Sequence, residues 1–280
     1  MSTQPVTAET GPELRVYRPV KRRMKLRELW TTREVAKMIG LRDMKVKYKQ
    51  AALGPLWLLI APLGMLAAVT IAFSGVTDVN TGDVPYLLFA LVGLVVWTFI
   101  QLSLSMGAQA IVGNNSLVRR SAMPRIALIT GTLIGNLPPV AVMLGITLIG
   151  TLAVRGLPLQ IVLLPLVIAW AVVFTFFLTM LVASVAARFR DTVAMIPLII
   201  QAGIFVTPVG YPLEGAPQNI KFALSLNPVS GIIEAWRWVV LGSPDTNVHV
   251  IAIAGAMTVV VAVLAWHVFT RLEVTFADVV

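Results

Sequence analysis

RDMKVKYKQAALGPLWLLIAPLGMLAAVTIAFSGV, Arg42 to Val76, passes without a break from a basic, half-apolar stretch into a long uncharged one. No ionisable side chain occurs from Ala51 to Val76, and a stretch of that length crosses a hydrocarbon core of about 30 Å at about 1.5 Å per residue. The cluster Arg42, Lys45, Lys47 and Lys49 directly before it sets the direction of entry, because basic residues flanking a span stay on the cytoplasmic side. The N-terminus is therefore expected inside.

Composition agrees. With 58% apolar and 12% charged residues and a mean hydropathy of +0.86, the chain has too little polar surface to cover a soluble globule of 280 residues. An integral membrane protein with one helical domain is expected. The net charge of +9 could suggest a nucleic-acid binder, but 13 of the 22 Lys and Arg lie in the first 49 residues. Beside a span, those charges favour anionic lipid headgroups and topology, with no nucleic-acid partner. The chain has no cysteine, which excludes disulfides and thiolate metal sites. His249 and His267 lie 18 residues apart in different surroundings and are read as a loop and a helix-end histidine, so no metal site is expected.

Residues 1–20 mix Pro, Thr, Ser and Glu without hydrophobic periodicity; they read as a disordered tail, and the lack of an apolar core separates them from a signal peptide. In residues 21–50, Leu26, Leu29, Trp30, Val35, Met38, Ile39, Leu41, Met44 and Tyr48 recur at spacings of three and four among basic residues. That pattern predicts an amphipathic basic helix in the headgroup layer, or two joined near Gly40, with Thr31 and Glu34 placed as a capping box. Residues 51–280 form the transmembrane domain.

Five further apolar segments follow the first span, near Tyr86 to Met106, Ile126 to Val154, Leu157 to Ala183, Val193 to Pro208 and Val250 to Thr270. Six spans place both termini in the cytoplasm, and on that count 19 of the 22 basic residues fall inside. Two loops carry more pattern than a connector needs. In GNNSLVRRSAMPR, Gly113 to Arg125, Asn114, Asn115 or Ser116 can cap a short helix bearing Leu117, Val118, Arg119 and Arg120 before Pro124 ends it. Such a helix would offer a handle to a cytoplasmic partner; the simpler alternative is a positive-inside loop. Residues 209–249 on the outer side are too apolar for a free loop: Ile220, Phe222, Ala223 and Leu224 suit one short helix. Asn227 as N-cap with Pro228 at the first helical position then opens another, with Ile232, Ile233, Trp236, Val239 and Val240 on one face. Both are too short to span, so a re-entrant or interfacial pair is expected, after a fifth span kinked or broken by Pro197, Pro208 and Pro212.

RDMKVKYKQAALGPLW, then NNSLVRRSAMPR, then RFRDTVAMIPLIIQAGIFVTPVGYP, then LNPVSGIIEAWRWVVLG resemble, in that order, the ABC-2 type permease subunits of polysaccharide exporters, which move O-antigen, teichoic acid, cell-wall galactan and related glycans. The resemblance covers Leu26 to Arg271. It implies that Arg42, Asp43, Lys47, Tyr48, Lys49 and Gln50, with Lys45 in the same basic belt, belong to an interface helix. It also implies that Asn114, Asn115, Ser116, Leu117, Val118, Arg119, Arg120 and Arg125 form a coupling helix docked on an ATPase, and that Arg190 and Asp191 belong to a second cytoplasmic signature. Thr207, Pro208, Tyr211, Asn227, Pro228 and Arg237 correspond to an outer gate, with Trp236 on the gate helix.

No stretch matches G-x-x-x-x-G-K-[ST], so power must come from a separate polypeptide that binds ATP and Mg²⁺, and no cofactor is expected here. No acidic pair lies deep in a span, which disfavours a proton-coupled carrier. Phe73, Trp97, Gln101, Trp170, Phe174 and Phe177 lie at membrane depth; aromatic faces can stack on sugars without a fixed register, and packing or lipid contact is the bland alternative. Gly131 and Gly135 form a G-x-x-x-G that suits helix packing first and a dimer contact second.

The expected molecule is an all-α integral membrane protein with six transmembrane helices per subunit. To these it adds an N-terminal amphipathic interface helix, a short cytoplasmic coupling helix and two short re-entrant outer gate helices between spans five and six. It would be a multi-pass protein of the bacterial cytoplasmic (inner) membrane, a homodimer paired with two copies of a separate ABC ATPase. Its substrate would be a polyprenyl-diphosphate-linked polysaccharide moved outward in cell wall biogenesis. A drug or lipid exporter permease is the alternative. A membrane-embedded glycan-processing enzyme is disfavoured, because no catalytic motif surrounds Glu214, Glu234 or Asp245.

Overall fold

The computed structural model describes residues 30–49, 51–74, 81–114, 124–215, 218–243 and 246–272. The expected tail, Gln50 and most of the expected coupling helix, residues 115–120, lie outside them. Among the described residues the chain is helical, with α1 Arg33–Lys49, α2 Trp57–Ser74, α3 Tyr86–Ala110, α4 Ile126–Arg155, α5 Leu164–Arg188, α6 Asp191–Gly203, α7 Gln218–Leu226, α8 Pro228–Leu241 and α9 Val248–Leu272.

Among the described residues four helices are long and apolar enough to cross a membrane: α3, α4, α5 together with the 3₁₀ turn that leads into it, and α9. The segments expected as the first and fifth spans form shorter helices. α2 has 18 residues and α6 has 13, or roughly 27 and 20 Å of helix. Each buries only a stripe: Pro62, Leu66 and Val69 on α2, and Ile196 and Ile200 on α6, continued by Ile204 one turn on.

α3 is the hub. It packs against α2, α4, α5, α6 and α8, and almost every side chain from Leu88 to Ile100 is buried. A helix that is apolar on all sides needs either lipid or protein around it; α3 is surrounded by protein, whereas α2, α5 and α9 keep wide apolar faces exposed. α4 continues through Pro138 and Pro139, although each proline removes a backbone donor. Hydroxyls along the same helix bond back one turn, Thr132 to the Leu128 carbonyl at 3.0 Å, Thr147 to Met143 at 2.8 Å and Thr151 to Thr147 at 2.9 Å, so they are satisfied without a neighbour.

α1 is one helix through Gly40, which decides between the one-helix and two-helix patterns. Its buried residues Ala36, Ile39 and Gly40 lie against α4. A Cβ on Gly40 would stand 2.7 Å from the Gly131 carbonyl oxygen and 3.0 Å from the Gly135 nitrogen. The G-x-x-x-G of α4 is therefore a seat for α1, where backbones approach closely enough for Cα–H···O contacts. Opposite this seat α1 exposes Lys37, Met38, Leu41, Arg42, Lys45 and Val46.

Candidate functional site

The outer-side residues expected to act together converge on residues 204–211, the bend between α6 and the α7–α8 pair. Backbone carbonyls that leave the helical ladder need donors from elsewhere where they are buried, and in this bend Thr207 and Val209 are buried while Phe205 and Val206 are exposed. Here side chains supply them. Arg237 of α8 donates through Nη2 to the Val209 carbonyl at 2.7 Å and through Nη1 to the Tyr211 carbonyl at 3.4 Å. Tyr86, at the start of α3, donates its hydroxyl to the Gly210 carbonyl between them at 2.9 Å. Tyr211 donates to the Phe205 carbonyl at 3.0 Å. Asn227 donates through Nδ2 to the Val206 carbonyl at 3.1 Å and to the Thr207 hydroxyl at 3.0 Å.

The same Asn227 side chain also starts α8. Its Oδ1 accepts from the Val229 N–H at 3.0 Å, with Pro228 at the first helical position, so one amide caps a helix and clips the bend to it. At the other end Gly242 closes α8 with φ of 65°, a left-handed conformation suited to glycine.

Arg237 is 2% exposed, and an isolated charge so buried would be costly. Its neighbours offset that. The guanidinium carbon lies 3.7 Å from the centre of the Phe89 ring, Glu234 stands 3.6 Å from Nη1, and the two carbonyls accept its hydrogen bonds. Burial pushes the Arg237 pKa down to about 10, so it remains cationic at neutral pH. Burial first, with Glu214 adding to it, pushes the Glu234 carboxyl above its ordinary range, while Arg237 pulls it back. Gly93 of α3 makes the approach possible: a Cβ there would stand 2.6 Å from the Val209 oxygen and 3.1 Å from Arg237 Nη2.

Thr207, Pro208, Tyr211, Asn227, Pro228 and Arg237 are thus brought together. Trp236 is buried in the main core beside them. Four residues of this cluster were not singled out from sequence for that role: Tyr86, Phe89, Gly93 and Glu234. The spacing of Tyr86, Phe89 and Gly93, three and four apart on one helix face, was the available signal.

The remaining candidates lie elsewhere. Asn114 follows α3 and donates through Nδ2 to the Ala110 carbonyl at 2.9 Å, which caps the helix before the loop; Arg125 immediately precedes α4. Of the interface-helix residues, Arg42 pairs with Asp43 at 2.8 Å, the Lys47 ammonium stands 5.6 Å from the Tyr48 ring, and Lys45 and Lys49 are exposed. Arg190 directly precedes α6 and Asp191 occupies its first turn, where a carboxylate complements the helix dipole.

The aromatic candidates scatter. Phe174 is 1% and Trp97 5% exposed, both inside the subunit's own core; a Cβ on Gly203 of α6 would stand 2.9 Å from the Trp97 ring. Trp170 donates to the Thr258 hydroxyl of α9 at 2.9 Å. Phe177 meets Phe176 edge-to-face at 5.2 Å, and Gln101 is half-buried. Phe73 lies in the last turn of α2, and its side chain lies outside the described residues.

The profile of the ABC-2 type transporter family matches residues 34–241. The O-antigen export system permease protein RfbA of Myxococcus xanthus is 26% identical over 256 residues, covering 90% of this chain and 98% of that protein. A protein of the same name from Klebsiella pneumoniae is 23% identical over 246 residues, covering 86% of this chain and 93% of its own length.

Proposed function

Because the chain belongs to the ABC-2 type transporter family, we propose that it is the membrane-spanning permease subunit of an ATP-driven polysaccharide exporter, a transporter and not an enzyme. The observation that carries the substrate class is the near end-to-end match to two O-antigen export permeases. An ABC ATPase partner follows from the family.

Finer features extend this reading. α2 and α6 complete a six-span topology with both termini in the cytoplasm of a bacterial inner membrane. Two copies of the chain enclose the path, and each engages one copy of the ATPase, which binds ATP and Mg²⁺. The segment from Asn114 to Arg125 docks on that ATPase. The exposed basic residues of α1 and the belt from Lys45 to Lys49 attract the diphosphate of a polyprenyl-linked glycan on the cytoplasmic side. The exposed apolar faces of α2 and α6 support a pairing surface. The bend at Thr207 to Tyr211 with α7 and α8 stands at the exit.

Deleting the gene should abolish surface polysaccharide while lipid-linked glycan accumulates on the cytoplasmic leaflet, and the intact chain supplied in trans should reverse both. Normal surface glycan accompanied by altered sensitivity to hydrophobic drugs would overturn the assignment in favour of a drug exporter.

A further inference from the structure

Five backbone carbonyls within seven residues, those of Phe205, Val206, Val209, Gly210 and Tyr211, accept hydrogen bonds from side chains. The donors come from three places: Tyr86 on α3, Asn227 and Arg237 at the start and middle of α8, and Tyr211 within the bend itself. We infer that Arg237 is a positioning residue that welds the outer end of α3, the bend and the α7–α8 pair into one rigid block, so that the exit opens by movement of whole subunits and not by α7 and α8 swinging away from α3.

The physical reason lies in what a hinge would leave behind. Lifting α8 from α3 would separate Arg237 from Phe89, 3.7 Å away, and would strip the Val209 and Tyr211 carbonyls of their donor in a region where water is scarce. If the bend moved with α8 instead, the Tyr86 bond to Gly210 would break, because the bend is held by both helices at once. Gly93 removes the side chain that would hold the two surfaces apart. On the Asn227 side the clip to Val206 and Thr207 ties the same bend to the α7–α8 junction. Leu213, Leu224 and Val250 form a small core beneath α7, so that helix is carried with the block. Several independent contacts would have to fail together for a hinge, whereas moving the block against another subunit breaks none of them.

The inference rests on the export reading above, and its test separates the two. The chain has no cysteine, so Leu87→Cys on α3 and Phe222→Cys on α7, both at exposed positions, can carry a pair of spin labels without background. The labelled chain is diluted with unlabelled chain in the complex with the ATPase, so that only distances within one subunit are read. In a complex shown to export glycan, the interlabel distance should stay within about 2 Å between the nucleotide-free and vanadate-trapped states; a change of about 5 Å, the size of a one-turn shift, would overturn the rigid block. Arg237→Lys keeps the charge but loses the fork that reaches two carbonyls, and should broaden the distance distribution roughly twofold. Tyr86→Phe deletes a single hydroxyl and gives the same readout if the arginine variants do not accumulate. A distribution as narrow as the parent's in both variants would show that these contacts are not what holds the block. A complex that exports nothing in any state fails the functional reading instead.

Discussion

Gly40 of α1 and Gly135 of α4 meet backbone to backbone: a Cβ on Gly135 would stand 3.1 Å from the Gly40 carbonyl oxygen, and one on Gly40 would stand 3.0 Å from the Gly135 nitrogen. This contact fixes a basic, half-apolar helix against a membrane span. The exposed face of α1, with Lys37, Arg42 and Lys45, is therefore held at a set angle to α4. It also gives the glycines of α4 an occupant within the same chain.

Gly131→Leu should displace α1, because even a Cβ at Gly131 would stand 2.8 Å from Ile39 Cγ2 and 3.0 Å from the Ala36 carbonyl oxygen. Overpacking of this kind costs roughly 1 to 3 kcal/mol. Protease cleavage of α1 in detergent-solubilised protein should become several-fold faster, with the apolar core from α3 to α9 still folded. Gly145→Leu, on a part of α4 where a Cβ meets nothing within 4 Å, is the control and should leave cleavage unchanged.

Trp97→Leu separates a channel wall from a core position. Trp97 is 5% exposed and faces Gly203, so its loss leaves a cavity between α3 and α6 costing roughly 1 to 3 kcal/mol. The expected result is a lower melting temperature in a thermal-shift assay, with the membrane as sealed to small solutes as with the parent. An unchanged melting temperature with altered leak would return Trp97 to the channel.

Topology is open to direct measurement on the cysteine-free chain. In the six-span arrangement, single cysteines at Asp78 and Gln218 should react with an impermeant thiol reagent in intact cells. Those at Ser116 and Thr275 should react only after permeabilisation. Labelling at Ser116 in intact cells would contradict the arrangement.

Charge reversal at Arg119 and Arg120 addresses the coupling segment. If it docks on the ATPase, Arg119→Glu with Arg120→Glu should lower recovery of the ATPase in pull-downs at least several-fold, or leave hydrolysis running without export. Membrane insertion should be unaffected, since these two arginines are not the only topology signal. Unchanged recovery and export would leave a plain positive-inside loop.

Local chemistry made much of this protein legible before any contact was known. The hydropathy of the long apolar segments, the basic residues before Ala51 and the Asn227–Pro228 start of α8 each act through neighbours a few residues away, so the sequence carries them directly. Relative positions across the bundle were less legible. In a chain that is apolar nearly all round its helices, lipid and protein interior look alike to a side chain, so periodicity does not tell which face of α3 is covered or that Trp97 points inward. The ends of α2 and α6 were likewise unmarked, because the uncharged run also covers residues 51–56 before α2 and 204–208 after α6, which are not α-helical. The bend at residues 204–211 was hidden most completely. Its acceptors are backbone carbonyls, which every residue carries, and its donors Tyr86, Asn227 and Arg237 are spread over more than 150 positions of the chain. Only the tertiary fold, by bringing α3 and α8 against residues 204–211, decided that a buried arginine has two carbonyls and a ring to hold it.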